Sequence, residues 1–182
     1  MKFELYTTEN APQAARPDLE TIVDRYGFLP NLYAVFAESP AAVKTYKAIS
    51  EALEHAALSP LEQQVVFIAV SGENGCTYCV AAHSFLANMC GMSETLLKEL
   101  RDKQPLSDPK LNALRTFALS VMDNRGWVPE QALQAFVEAG YTKQHVLDVL
   151  TVLAQKTLSN YTNHLANTPL DEQFSAYAWD KR

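Results

Sequence analysis

Ser59-Pro60-Leu61-Glu62-Gln63-Gln64-Val65-Val66-Phe67-Ile68-Ala69-Val70 is the stretch on which the fold turns. Its second half is apolar without interruption. Taken alone, such a run suits a buried strand as well as a buried helix, because periodicity cannot separate the two. The first half decides. Ser59 suits a helix cap, Pro60 suits the first helical position where its missing N–H is no loss, and Glu62 can reach back to the cap. That capping box, with the length available before Asn74-Gly75, predicts a helix that is apolar on every side and therefore lies in the core.

Upstream, residues 1–16 are mixed and broken by Pro12 and Pro17. They predict an irregular arm, packed on a neighbouring subunit. Pro17 opens a short helix to Gly27, Phe28 to Asn31 form a turn, and Leu32 to Glu38 form a second short helix. Ser39-Pro40 reads as a cap and first turn, followed by Val43, Tyr46, Ile49, Ser50 and Leu53 at helical spacing. Downstream, Gly75 breaks the chain and a new helix runs to Gly91. Ser93, the Ser107-Asp108-Pro109 group, Pro129 and Thr142 open four more. The last carries Val146-Leu147, Val149-Leu150 and Val152-Leu153 and runs to about Ala166. Thr168-Pro169-Leu170-Asp171 begins an exposed tail, residues 168–182. No alternating strand pattern is present. The expectation is one all-α domain over 1–182, a bundle of roughly eight helices. The Gly91/Ser93 and Gly140/Thr142 junctions echo each other and suggest a weak internal helical repeat.

The chain has 182 residues, 48% hydrophobic and 20% charged, with net charge -6. That is enough for one packed domain. The acidic balance and the absence of a basic run exclude an electrostatic footprint for nucleic acid or anionic membrane. Met1 to Tyr6 has neither the apolar segment nor the small-residue site of a signal peptide, so a cytoplasmic protein is expected. There are three cysteines, Cys76, Cys79 and Cys90. Cys90 stands 11 residues past Cys79, about 16 Å along a helix, and cannot reach it. It is expected to be a small buried hydrophobe.

Gly75-Cys76-Thr77-Tyr78-Cys79-Val80-Ala81-Ala82-His83 carries the chemistry. On a helix, Cys76, Cys79 and His83 share one face. The unpaired N–H groups of a helix start favour a thiolate, and a histidine one turn on can exchange a proton with the nearer sulfur. These are the parts of a dithiol redox site. A zinc site is the competing reading, but it needs four ligands. One cysteine pair and one histidine are present, with His55, Cys90, His145 and His164 scattered elsewhere. His164, with Asn160 one turn before it, either lines the same cavity or belongs to a buried polar cluster tying helices together. Trp127 and Trp179 read as packing or interface anchors.

Leu58-Ser59-Pro60, Val65 to Ser71, the Cys76–Cys79 pair and His83 resemble the AhpD-like alkylhydroperoxidase branch of the carboxymuconolactone decarboxylase family, over about residues 40 to 125. The tail Asn160 to His164 with Thr168 to Asp171 is similar to that branch's peroxidase-related members. The resemblance implies an all-α homo-trimer or homo-hexamer that reduces hydroperoxides or disulfides without a bound cofactor or metal. It implies that Cys79 attacks peroxide and becomes a sulfenic acid, that Cys76 resolves it to a disulfide, and that His83 shuttles protons. Electrons would come from a dithiol donor, a lipoyl-type or thioredoxin-type protein. The family usually has a glutamate twelve residues before the first cysteine as the final proton acceptor. Here that position is Gln64, whose amide cannot accept the proton. Glu73 is the nearest carboxylate in sequence and the candidate replacement, with a solvated loop position as the alternative. Beside the enzyme stand two other readings: a redox-sensing or disulfide-exchange protein whose dithiol oxidises without turnover, and a metal-binding module.

Overall fold

A computed structural model describes residues 2–180. Among them the chain forms nine α-helices and one 3₁₀ segment, with no strand. The helices are α1 (Arg16–Tyr26), α2 (Asn31–Phe36), α3 (Pro40–Leu53), α4 (Pro60–Glu73), α5 (Thr77–Met89), α6 (Glu94–Arg101), α7 (Pro109–Asp123), α8 (Glu130–Glu138) and α9 (Lys143–Ala166). The fold is all-α, as expected, with one more helix than the rough count.

Helix α4 is the axis. The capping box at its start is formed in both directions. Ser59 Oγ accepts from the Glu62 N–H, and the Glu62 carboxylate accepts from the Ser59 N–H at 2.9 Å. Glu62 is also held by Tyr141 Oη at 3.0 Å and by Lys110 Nζ at 3.2 Å, which ties α4 to the α8–α9 turn and to α7. Val65, Val66 and Ile68 are wholly buried. Each such side chain contributes about 1.5–3 kcal/mol of burial. Around them pack Leu114, Phe117, Phe136, Val149 and Val152. The rings of Phe117, Phe136 and Tyr141 stack in series, with centroids 4.1 and 4.5 Å apart.

A second apolar cluster lies against α5 and joins α1, α2, α3 and the N-terminal arm. Here the arm departs from expectation. It packs on its own chain: Ala11 and Ala15 are buried in this cluster, and the Tyr6 N–H donates to Ala34 O. The tail departs too. Residues 168–180 do not trail in solvent. Asp171 and Phe174 are buried, and the 3₁₀ segment Glu172–Tyr177 packs on α5. Phe174 meets Phe28, Tyr78 and Phe85 edge-on or tilted, and Arg101 donates to the carbonyls of Tyr177 and Ala178. An apolar ring every few residues is what a docked segment requires, and the short span hid that pattern in sequence.

The α4–α5 junction places the site. Gly75 has φ +66, in the left-handed region that favours glycine. The Gly75 N–H donates to Gly72 O and the Cys76 N–H to Ser71 O, which together form a Schellman stop. Cys76, the last residue of that stop, is also the N-cap of α5. The hydrogen bond that closes one helix and the cap that opens the next therefore come from the same residue. Cys90, expected inside, is exposed. It lies where α5 closes ahead of Gly91, a helix end that faces solvent.

Candidate functional site

Cys76, Cys79 and His83 lie on one face of α5 and are all buried. Cys76 Sγ accepts from the Cys79 N–H at 3.4 Å, as an N-cap oxygen would. The opposite wall is α9, on which the sequence reading weighed His164 and Asn160 but not Asn163 or Lys156. Asn163 Nδ2 lies 3.1 Å from Cys79 Sγ and 3.8 Å from Cys76 Sγ. Asn160 accepts from Asn74 Nδ2 at 2.9 Å and donates to Ser71 Oγ at 3.3 Å, so it pins α9 to the end of α4. That is the helix-tying role anticipated for Asn160. His164, the residue singled out beside it, is exposed.

His83 uses both ring nitrogens. Nδ1 lies 2.9 Å from Gln64 Oε1 and Nε2 lies 2.5 Å from Lys156 Nζ. An amide oxygen can only accept, so Nδ1 carries the hydrogen and Nε2 is the acceptor for the lysine. The ring stacks on Phe67 with centroids 4.3 Å apart, and Lys156 Nζ sits 4.8 Å from the same ring. Burial first, then the neighbouring ammonium, hold His83 well below the ordinary imidazole range, so it stays neutral. Lys156 is itself wholly buried, and desolvation lowers its pKa.

The two sulfurs are unequal. Burial pushes the Cys79 thiol up. The hydrogen bond from Cys76, the charge of Lys156, and the amides of Asn163 and Asn160 outweigh it and bring the thiol down to about 6. Cys76 moves the other way, raised first by donating to Cys79 and then by burial. The pair thus shares one thiolate, and it resides on Cys79. A cavity of about 1000 Å³ opens against this centre. Cys79, His83, Lys156 and Gln64 line it; Cys76 does not. Tyr33, Tyr46, Phe67 and Phe85 are among the residues that form its walls.

Tyr78, between the cysteines, faces away from the sulfurs. Its Oη donates to Asp171 Oδ2 at 2.5 Å and accepts from the Leu32 N–H at 3.3 Å. Asp171 also accepts from the Asn31 N–H at 3.0 Å. Glu73 is not brought to the site. It is exposed, and its carboxylate lies 3.6 Å from Lys103 Nζ. The protein carries Gln64 where an acid was expected, and Lys156 where nothing was expected. Among the described residues, no three His, Cys, Asp or Glu side chains are grouped to hold a metal ion. A signal for α9 did exist. Val149, Val152, Lys156, Asn160 and Asn163 share one helical register, so the buried stripe of α9 turns polar halfway along.

Residues 40–104 match the carboxymuconolactone decarboxylase family. No curated protein matches the chain. Among solved structures, the fold is similar to an uncharacterized peroxidase-related protein from Ralstonia eutropha JMP134, described as an alkylhydroperoxidase AhpD core. It has a TM-score of 0.83 and 24% identity, over 95% of this chain and 93% of that one. An uncharacterized peroxidase-related protein from Silicibacter sp. TM1040 has a TM-score of 0.80 and 18% identity, over 96% and 92%. The debrominase Bmp8, in complex with 2,3,4-tribromopyrrole, has a TM-score of 0.78 and 15% identity, over 97% and 95%. At these identities the likeness is one of fold. Among the described residues, no helix is long and apolar enough to cross a membrane.

Proposed function

We propose, from its dithiol centre and from the match of residues 40–104 to the carboxymuconolactone decarboxylase family, that this chain is a thiol-dependent hydroperoxide reductase of the AhpD-like type. One observation carries the reading. Both cysteines of the pair are buried at the start of α5, and Cys79, the one whose thiol its neighbours lower, borders the cavity together with His83 and the wholly buried Lys156. Cys79 sulfur attacks the terminal oxygen of ROOH, the O–O bond breaks, and the sulfur becomes S–OH while RO⁻ leaves. The alkoxide takes one proton from the buried network that includes His83. The Cys76 thiol then attacks Cys79 S–OH; the S–S bond forms, and hydroxide leaves with the thiol proton as water. The sum is two thiols and ROOH giving a disulfide, ROH and water. A dithiol donor, lipoyl-type or thioredoxin-type, returns the two electrons by exchange. The size and the aromatic side chains of the cavity favour a bulky organic hydroperoxide over hydrogen peroxide. Exposed Leu147, Tyr161 and Leu165 on α9 support assembly into homo-oligomers, and a cytoplasmic setting suits a reduced dithiol.

The aromatic side chains of the cavity also favour a second reading. The same two electrons can reduce a halogenated ring: two thiols and Ar–Br give Ar–H, a disulfide and HBr. The test is a dihydrolipoamide-coupled assay with cumene hydroperoxide, hydrogen peroxide and 2,3,4-tribromopyrrole in parallel, on native protein and Cys79→Ser. Multiple turnovers with cumene hydroperoxide, abolished in Cys79→Ser, are expected. Equal rates in the two proteins would exclude the catalytic reading. One equivalent of oxidation without turnover would make it a sensor. Turnover with the bromopyrrole alone would move it to reductive dehalogenation.

A further inference from the structure

Lys156 is the least expected feature of the site. Its ammonium is wholly buried, and among the described residues no carboxylate lies within ion-pair distance of it. A buried ammonium without a counter-charge costs several kcal/mol, so it either loses its proton or finds an anion. The groups that face it are few. From α5 come Cys76, Cys79 and His83, and from α4 comes Phe67; from α3, Tyr46 lies near Cys79 and is held protonated by burial. His83 is neutral and presents only the Nε2 lone pair to Nζ. The single group able to become an anion there is the thiol pair.

We propose that Lys156 is the proton partner of Cys79: it holds the proton that leaves the thiol, and returns it to the alkoxide released from the hydroperoxide. The proposal rests on the peroxidase reading and adds the residue that completes it. In the resting protein the pair is Cys79 S⁻ with Lys156 NH₃⁺, and the ammonium is oriented by His83 Nε2. When sulfur takes the terminal oxygen of ROOH, the hydroxyl hydrogen stays on that oxygen and RO⁻ departs. Lys156 gives it one proton, forms ROH, and remains as a neutral amine. Cys76 then resolves the sulfenic acid as above, releasing water. When a dithiol donor reduces the disulfide it delivers two hydrogens; one stays on Cys76 and the other passes from Cys79 to the amine, restoring the ion pair. Atoms and electrons balance without any carboxylate. Gln64 then stands in its proper place: its amide oxygen fixes the Nδ1–H tautomer of His83 and leaves Nε2 free to hold the lysine.

The thiol can be tested without peroxide, so failure here is separable from failure of the peroxidase reading. In a Cys76→Ser/Cys90→Ser background, which leaves one thiol, the iodoacetamide rate of Cys79 is followed against pH. With Lys156 present its midpoint is expected to stay below the ordinary thiol value, less depressed than in the native pair because the Cys76 thiol no longer donates to it. In Lys156→Met the midpoint should rise by two pH units or more, an alkylation rate at neutral pH about 10-fold lower or less. A midpoint within half a unit of the parent would overturn the proposal. Lys156→Arg keeps the charge but cannot release its proton. It should keep the low midpoint and, with both other cysteines restored, lose peroxide turnover; turnover at the native rate would refute the proton-return step.

Discussion

Tyr78→Phe isolates one hydroxyl that joins α5 to the C-terminal segment. The hydroxyl donates to the Asp171 carboxylate at 2.5 Å and accepts from the Leu32 N–H at 3.3 Å. A hydrogen bond to a charged partner contributes about 1.5–3 kcal/mol, and a long one from a backbone N–H about 0.5 kcal/mol. The ring itself is kept, so its edge contact with Phe174, at 6.1 Å between centroids, should persist. Asp171 keeps the Asn31 N–H and does not become wholly unpaired. The expected loss is therefore about 2–3 kcal/mol, or about 4–12 °C in a chain of this size. Urea unfolding at pH 7.5 with the thiols reduced measures it. Asp171→Asn and the double substitution complete a cycle, in which the two changes should cost about 1 kcal/mol less together than as a sum. A loss under about 0.5 kcal/mol, or strict additivity, would refute the claim that this contact docks the segment.

Two further outcomes follow from the same geometry. Glu62→Ala removes the return half of the capping box and strands Tyr141 Oη, so unfolding should become easier by about 1–3 kcal/mol; a change under 0.5 kcal/mol in chemical denaturation would deny that Glu62 joins α4 to the α8–α9 turn. The depressed Cys79 thiol also links folding to pH. Its folded pKa of about 6 lies below the ordinary thiol value of about 8.5. Its contribution is thus fully present above the ordinary value and is lost as pH falls through 6. Native protein should gain stability between pH 6 and 8.5 relative to Cys79→Ser, and parallel stability curves for the two would contradict a folded-state thiolate.

Local chemistry was legible in the sequence, and distant chemistry was not. Ser39, Ser59, Ser93 and Asp108 all cap helices as expected, because each interaction spans three residues. Cys76, Cys79 and His83 share a face because helix period alone requires it. Lys156, Asn163 and Asp171 reach the α5 residues across 73, 84 and 93 positions of chain. Nothing in local propensity encodes such pairings. Gln64 was visible but read as a broken relay, since its partner on the far side of His83 was not. Cys90 was placed inside on the general habit of free cysteines. The Gly91 stop beside it marks where α5 emerges from the protein.

The shared residue at the α4–α5 junction also bears on the order in which the site can assemble. Gln64 and His83 are 19 positions apart, so the hairpin that unites them closes a short loop and can form early. The lysine and the asparagine arrive only when α9 docks, the last long helix to leave the ribosome. Until then Cys76 and Cys79 sit side by side as two ordinary thiols, with no buried cation to ionise either. Reactivity toward oxidants is thereby withheld from the unfinished chain and conferred by the docking of α9.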